Sequence, residues 1–343
     1  MSENHERWEQ AFKASPKAYK SPEGPLMMSF TLTENTDTIL PMFPSTMYRV
    51  QGQTVRDIRI GFFSLSEDKV LGQLPYGDAA AVLGAYAVEA RNPYVLIRGL
   101  SNDELHEVIE KGKAEAVRRD RAAQIGAACR QFAELDHTDP ETVSRVFAAS
   151  TVKTVRFEDI PFPSGIVTAG DPFVSLRDLP SVGYLNEEIH AGNCPLELAI
   201  AGSEVTGQKA AGMRLKISGR NAHTYRPVQF AEKKDGILID LKDSFFAMTG
   251  YICFMDREAV QAWNAFAGAW SEEHPYQDII SGYFQPLFTQ EGFIRFRIPG
   301  TGYDIVIAYA GFGKGWYRVF GGYDENDTLC EFVSLFADPA LMQ

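Results

Sequence analysis

Apolar and polar positions change their rhythm about halfway along the chain. In the first half, β-branched and aromatic residues over 57–65 predict a strand, an Ala-rich stretch over 77–90 predicts a helix, and 93–100 predicts a second strand. Strand, helix and strand outline a small α/β unit. Ser101-Asn102-Asp103-Glu104 then has capping-box spacing, in which the Ser and Glu side chains satisfy each other's end-of-helix amides, and it predicts a helix through Leu135. Asp139-Pro140 opens another helix to about Ala149, with Pro in the first turn, where its missing N–H costs nothing.

From Lys153 onward the texture becomes short strands punctuated by Gly and Pro, over 151–160, 164–169, 196–201, 212–218, 236–241, 292–298, 303–310, 316–323 and 328–336. One helix interrupts them at 257–270, where Val260, Trp263, Phe266, Ala267 and Trp270 recur at helical spacing. The expected fold class is therefore α+β: a small α/β N-terminal domain followed by a β-rich C-terminal domain with one inserted amphipathic helix. Residues 1–30, with Ser15-Pro16 and Ser21-Pro22-Glu23-Gly24-Pro25, read as a flexible lead-in. Residues 31–152 form the α/β domain with its C-terminal helices, and 153–343 the β-rich domain. A chain of 343 residues suits two cores.

Charge narrows the partners. The chain carries 45 acidic against 33 basic residues, and residues 251–343 alone carry 12 against 5. Such a surface repels phosphate backbones and anionic lipid, so nucleic-acid and membrane binding are disfavoured and a basic protein partner is attracted. The N-terminus lacks the basic start and apolar run of a signal peptide, and no window reaches a membrane-spanning length, so a cytoplasmic location is expected. The four cysteines, Cys129, Cys194, Cys253 and Cys330, are widely spaced with no C-x-x-C, which favours free thiols. The six histidines form no H-x-H or H-E-x-x-H pair, and neither a metal site nor a cofactor motif is expected.

Several short patterns between Phe162 and Tyr317 occur as a set. They are Pro163-Ser164-Gly165 with Asp171-Pro172, Gly192 through Leu198, an Ala-rich strand from Ala210 to Ser218, Gly250 through Asp256, and Ala310-Gly311-Phe312-Gly313-Lys314-Gly315-Trp316-Tyr317. In order and spacing this set resembles the bacterial domain of unknown function 4241, over roughly Asp159 to Phe336. The resemblance implies a shared fold and no established reaction. The family's hairpin typically reads Ser-Gly-Trp-Gly-Asp-Gly, whereas this chain has Ala310 for the Ser and Lys314 for the Asp. A Ser and Asp site in that hairpin would be missing here.

Candidate chemistry is sparse. Cys194 is the most nucleophile-like residue, with His190 four positions earlier and Asn193 adjacent, yet across Ala191-Gly192 nothing enforces a Cys-His hydrogen bond. Glu197 alternates with Leu196 and Leu198, so on a strand it faces away from both, as a general acid or base in a cleft or as a solvent-side carboxylate. Gly311, Gly313, Lys314 and Gly315 offer an anion nest or a plain glycine hairpin, and they lack the P-loop spacing. Asp256 reads as the N-cap of the following helix and Asp171 as a turn residue. Asp240 with Asp243, and Asp324-Glu325-Asn326-Asp327, fall short of a calcium ligand set, and the latter reads as a hairpin turn. Arg118, Arg119 and Arg121, interleaved with Glu115 and Asp120, read as a solvated helix face.

The leading functional expectation is a cytoplasmic protein that works by binding, for example by neutralising a basic toxin. The alternative is a hydrolase or transferase acting on a small molecule in a cleft where the Ser164 and Cys194 loops approach Gly313. A ligand-sensing scaffold is the third.

Overall fold

The structure is a computed structural model that describes residues 102–177, 182–234 and 237–343, together with the backbone of eight strands ahead of them. The chain divides into two compact units, residues 1–121 and 122–343. This division falls earlier than the change of texture near residue 152.

In the first unit the strands are β1 (Ala18–Lys20), β2 (Leu26–Leu32), β3 (Ile39–Met42), β4 (Thr46–Arg49), β5 (Ile58–Ser64), β6 (Lys69–Pro75), β7 (Ala87–Arg91) and β8 (Tyr94–Ile97). An antiparallel sheet runs β1-β2-β5-β6, and β3 with β4 and β7 with β8 form two-stranded pairs. The strands expected over 57–65 and 93–100 are β5 and β8. β1 and most of β2 lie in residues 1–30, and β2 pairs along its whole length with β5. The end of the expected helix over 77–90 is strand β7, where pairing with the β-branched and aromatic β8 outweighs the helix preference of Ala, and residues 77–86 lie outside the described residues.

Helix α1 (Asn102–Ala133) reaches into the second unit, and α2 (Pro140–Ala148) follows it. Asp139 is the N-cap of α2, its carboxylate accepting the Thr142 amide at 2.7 Å. Then come β9 (Lys153–Phe162), β10 (Val167–Gly170), β11 (Tyr184–Leu185), β12 (Gly192–Ser203), β13 (Gly207–Lys216) and β14 (Thr224–Pro227). They continue as β15 (Phe230–Lys234), β16 (Ile237–Lys242), β17 (Phe245–Ala247) and β18 (Tyr251–Asp256), which leads into α3 (Arg257–Glu273). After α3 lie β19 (Phe293–Arg297), β20 (Asp304–Tyr309), β21 (Gly315–Tyr317), β22 (Phe320–Tyr323) and β23 (Leu329–Leu335). The stretch 316–323, expected as one strand, is two, and 251–256, which no expected strand covers, is the strand β18.

Four antiparallel arrangements result: a six-stranded sheet β14-β22-β23-β13-β12-β9, a four-stranded sheet β10-β18-β20-β19, a three-stranded sheet β11-β15-β16 and the ribbon β17-β21. Strand alternation explains how the large sheet is covered. Leu196, Leu198 and Ile200 of β12 enter the main core with Met213, Leu215 and Phe332. Ala199 and Ala201 look the other way, under Val143, Val146 and Phe147 of α2. That contact is close: a Cβ on Gly212 would lie 3.0 Å from Val146 and 3.2 Å from Phe147.

A second core forms around α3. Its stripe of Val260, Trp263, Ala267 and Trp270 packs on Cys253 and Met255 of β18, Ile305 and Ile307 of β20, and Phe284 and Phe296. Trp263 is fully buried and donates its indole N–H to the Pro172 carbonyl at 2.6 Å. Burying a side chain of this size contributes about 2–3 kcal/mol, so the helix is held chiefly by this stripe.

Candidate functional site

The sequence candidates scatter instead of converging. Cys194 points into the main core beside Ile160, with its thiol pushed up by burial. His190 is exposed, and no hydrogen bond joins the two among the described residues. Glu197 does face away from Leu196 and Leu198, but it is buried rather than solvated. Its Oε2 accepts Arg214 Nε at 2.8 Å and Nη2 at 2.5 Å, while Oε1 lies 3.3 Å from Arg156 Nη1.

Strand register makes this ladder. Arg156 of β9 and Arg214 of β13 are the cross-strand partners of Glu197 on either side. The ladder extends to Glu331, which receives Lys216 Nζ at 2.5 Å and Tyr225 OH at 2.5 Å, and Arg214 stacks on Phe147 at 4.4 Å. Burial and the Glu331 charge push the Tyr225 hydroxyl far above its ordinary range. Both carboxylate oxygens of Glu197 are thus engaged by guanidiniums. Sequence reasoning found Glu197 but not Arg214, Glu331 or Tyr225; the alternation of Arg214 and Lys216 with Met213 and Leu215 was the available signal.

The glycine hairpin uses its own amides. Gly311 N donates to Ala210 O at 2.8 Å and Gly313 N to Ala310 O at 2.6 Å, while Tyr317 OH bonds the Gly313 carbonyl. Two of the nest's amides are thus already bonded, and Lys314 lies over the Phe246 ring at 5.5 Å. Glycine is required at 313: its φ is 88°, and a Cβ would fall 2.2 Å from Tyr309 OH. Ala310 is fully buried and Lys314 exposed, so the family's Ser and Asp positions are one inside the core and one outside.

The remaining motif residues are tied to one another. Asp256 Oδ2 accepts Ser164 Oγ at 2.7 Å and Ser164 N at 3.1 Å, and its Oδ1 caps α3 through Glu258 N at 2.8 Å. The N-cap reading of Asp256 therefore holds, with the Pro-Ser-Gly turn as an added partner. Asp171 Oδ1 accepts Phe173 N, and Oδ2 accepts both Thr249 N at 2.7 Å and Thr249 Oγ1 at 2.8 Å. Asp324 closes the turn between β22 and β23 by accepting Asn326 N and Thr328 N, and Arg220 beside it holds its carboxyl below the ordinary range. Asp243 pairs with Arg318, and the Asp240 side chain lies outside the described residues. Among the described residues no three His, Cys, Asp or Glu side chains gather as a metal-ligand set, and no helix is long and apolar enough to cross a membrane.

Two surface features were not found from sequence. The first is a pair of depressions beside the β17-β21 ribbon, which both touch Ser244 and Trp316. The larger, about 250 Å³, is lined by Ala169, Leu176, Phe230, Phe245 and Phe246, with Lys242. The smaller, about 200 Å³, is bounded by Glu134, Tyr317 and Arg318. Ribbon alternation creates the lip: Tyr317 is buried, whereas Trp316 is half exposed and stands against Phe246 at 5.0 Å. Neither depression is lined by Cys194, Glu197 or Gly313.

The second feature is the connection after α3. Tyr276 is 99% exposed, and Glu272, Glu273 and Asp278 are exposed around it. Its base is rigid: His274 stacks on Trp270 at 4.6 Å, and a π-helical turn, Ile280–Phe284, sets Tyr283 and Phe284 against Phe266 and Phe296.

No curated protein and no solved structure matches this chain. Residues 4–108, for which sequence reading names no family, are similar to a Domain of unknown function, DUF4299. Residues 160–334 match the Protein of unknown function family DUF4241, within the limits expected from the motif set. That match spans just over half of the 343 residues. The Ser164-Asp256 tie and the glycine hairpin both lie inside it, and the chain belongs to the DUF4241 family.

Proposed function

We propose that this chain is a cytoplasmic protein that acts by binding, and that the Tyr276 projection is where its second unit meets a basic protein partner. The observation that carries this reading is a fully exposed aromatic ring, on a base fixed by packed aromatics, surrounded by Glu272, Glu273 and Asp278. Rigid Tyr residues supply large contact area at small entropy cost, and surrounding carboxylates speed encounter with a cationic surface. The excess of 12 acidic over 5 basic residues in 251–343 acts in the same direction. A basic toxin neutralised by this chain is the partner class that fits best. The positions of Cys194 in the core, Glu197 in its ladder and Gly311 and Gly313 in the hairpin give these residues structural work, which favours binding over the hydrolase or transferase reading.

The test is affinity capture from the native host with the wild-type chain and with a Tyr276→Ala, Glu272→Gln, Glu273→Gln variant, at low and high salt. One stoichiometric basic protein, recovered by the wild type at low salt and lost with the variant at unchanged melting temperature, supports the proposal. Equal recovery by both chains, or no stoichiometric partner, overturns it.

A further inference from the structure

The double depression beside the β17-β21 ribbon makes no use of the Tyr276 projection and calls for its own account. Its two compartments differ in chemistry. The larger is walled by Leu176, Phe230 and Phe245 and roofed by Phe246 and Trp316, while the smaller presents the Arg318 guanidinium. Ser244 stands where they meet. The volumes suit one ring or a short acyl chain with a small polar head, and not a dinucleotide.

Arg318 defines the head group. Its Nη1 donates to the Glu134 carbonyl at 2.6 Å and its Nη2 to Asp243 Oδ2 at 3.0 Å, while Nε is buried with no partner. A guanidinium has five N–H donors in a planar fork, so this one holds donor capacity in reserve. Its counterion Asp243 is 56% exposed and also accepts Ser244 Oγ at 3.1 Å, so an incoming carboxylate would compete with it for Arg318 Nη2. The scaffold is preorganised. Asp171 grips Thr249 at the end of β17, and Gly250 touches Gly313 at the start of β21, where a Cβ on Gly250 would lie 2.8 Å from Gly313 Cα. Two motif contacts thus fix both strands that form the lip.

We propose that this double depression binds a small amphiphilic carboxylate, its flat apolar body against Phe230 and Phe245 under the Trp316 indole and its carboxylate on Arg318. A neutral body of the same shape leaves the guanidinium reserve unused, and an amine meets the Arg318 guanidinium as a like charge. Trp316 lines both depressions, so its fluorescence reports occupancy, with Trp316→Phe separating its signal from those of Trp8, Trp263 and Trp270.

The experiment titrates the full chain with phenylacetate, phenylacetamide and phenethylamine, read by tryptophan fluorescence and by thermal shift. Phenylacetate is expected to bind about tenfold more tightly than phenylacetamide, and phenethylamine most weakly. Arg318→Gln erases the preference, and Asp243→Asn strengthens phenylacetate alone. Ser244→Phe, which fills the neck at the cost of the Ser244 Oγ bond to Asp243 and leaves residue 318 itself unchanged, abolishes binding of both. Equal affinities for the acid and the amide overturn the carboxylate assignment while leaving an apolar pocket. No binding of any probe to the wild type, or unchanged binding to a folded Ser244→Phe variant, overturns the site itself. None of these outcomes depends on a protein partner at Tyr276.

Discussion

The loops that carry the recognisable motifs and the connection that carries Tyr276 are built in opposite ways. Around Ser164, Asp171, Asp256 and Gly313 nearly every polar atom is bonded to another part of the same unit, and the residues are largely buried. Between Glu272 and Asp278 the side chains face solvent, and only the base is packed. In this chain the motif residues therefore do structural work: Asp256 ties the Ser164 turn to the start of α3, and Asp171 ties its own turn to Thr249.

This contrast is sharpest under substitution. Asp256→Ala removes a buried carboxylate that accepts three hydrogen bonds and caps α3, so it is expected to cost about 3 kcal/mol in urea unfolding. A loss below about 1 kcal/mol would show that the Ser164 tie is incidental. Next in size, Glu197→Gln leaves Arg214 and Arg156 facing a neutral amide and is expected to cost about 2 kcal/mol by the same measurement. Tyr276→Ala is expected to change stability by less than about 0.5 kcal/mol, since its ring contacts almost nothing.

Chemical probes extend the comparison with smaller effects. All four cysteines are buried, and burial pushes the thiols of Cys129, Cys194 and Cys253 up. A thiol reagent such as Ellman's is therefore expected to label the folded chain slowly and the urea-unfolded chain fully. Fast labelling of Cys194 in the folded state would revive it as a nucleophile. Acid titration probes the ion pairs. Arg297 and Arg295 beside Asp304 hold its carboxyl below the ordinary range. Its contribution is present above the unfolded value, near pH 4, and is lost as pH falls through the depressed folded value. Asp304→Asn is accordingly expected to flatten the fall in stability on the acid side of about pH 4, and an unchanged profile would show that the pair is not coupled to folding.

Local signals were sufficient for α1, α2 and α3, though not over 77–90, whose end is strand β7. The capping box at Ser101-Asn102-Asp103-Glu104 and the Asp139-Pro140 pair announce α1 and α2, and the Trp263 stripe announces α3, because caps and helical spacing are properties of neighbours in sequence. Strand pairing was less legible. Nothing local says that Arg156 will flank Glu197 opposite Arg214, since register is settled by residues 17 and 41 positions away. β17 has three residues, too few for an alternation to show, so the lip formed by Phe246 and Trp316 stayed hidden. Tyr276 carried no motif at all. Exposure on a projecting connection is a tertiary property, and it became visible only once the stripe of α3 had been placed against β18 and β20.

The proposal places recognition at the exposed Tyr276 and leaves Cys194 and Glu197 structural. Its most direct test compares partner capture by Cys194→Ala, by Glu197→Gln and by the Tyr276→Ala, Glu272→Gln, Glu273→Gln variant, each at a temperature where circular dichroism shows it folded. The first two variants are expected to retain the partner and the third to lose it. Loss of the partner in Cys194→Ala or Glu197→Gln, with full retention in the Tyr276 variant, would contradict the proposal.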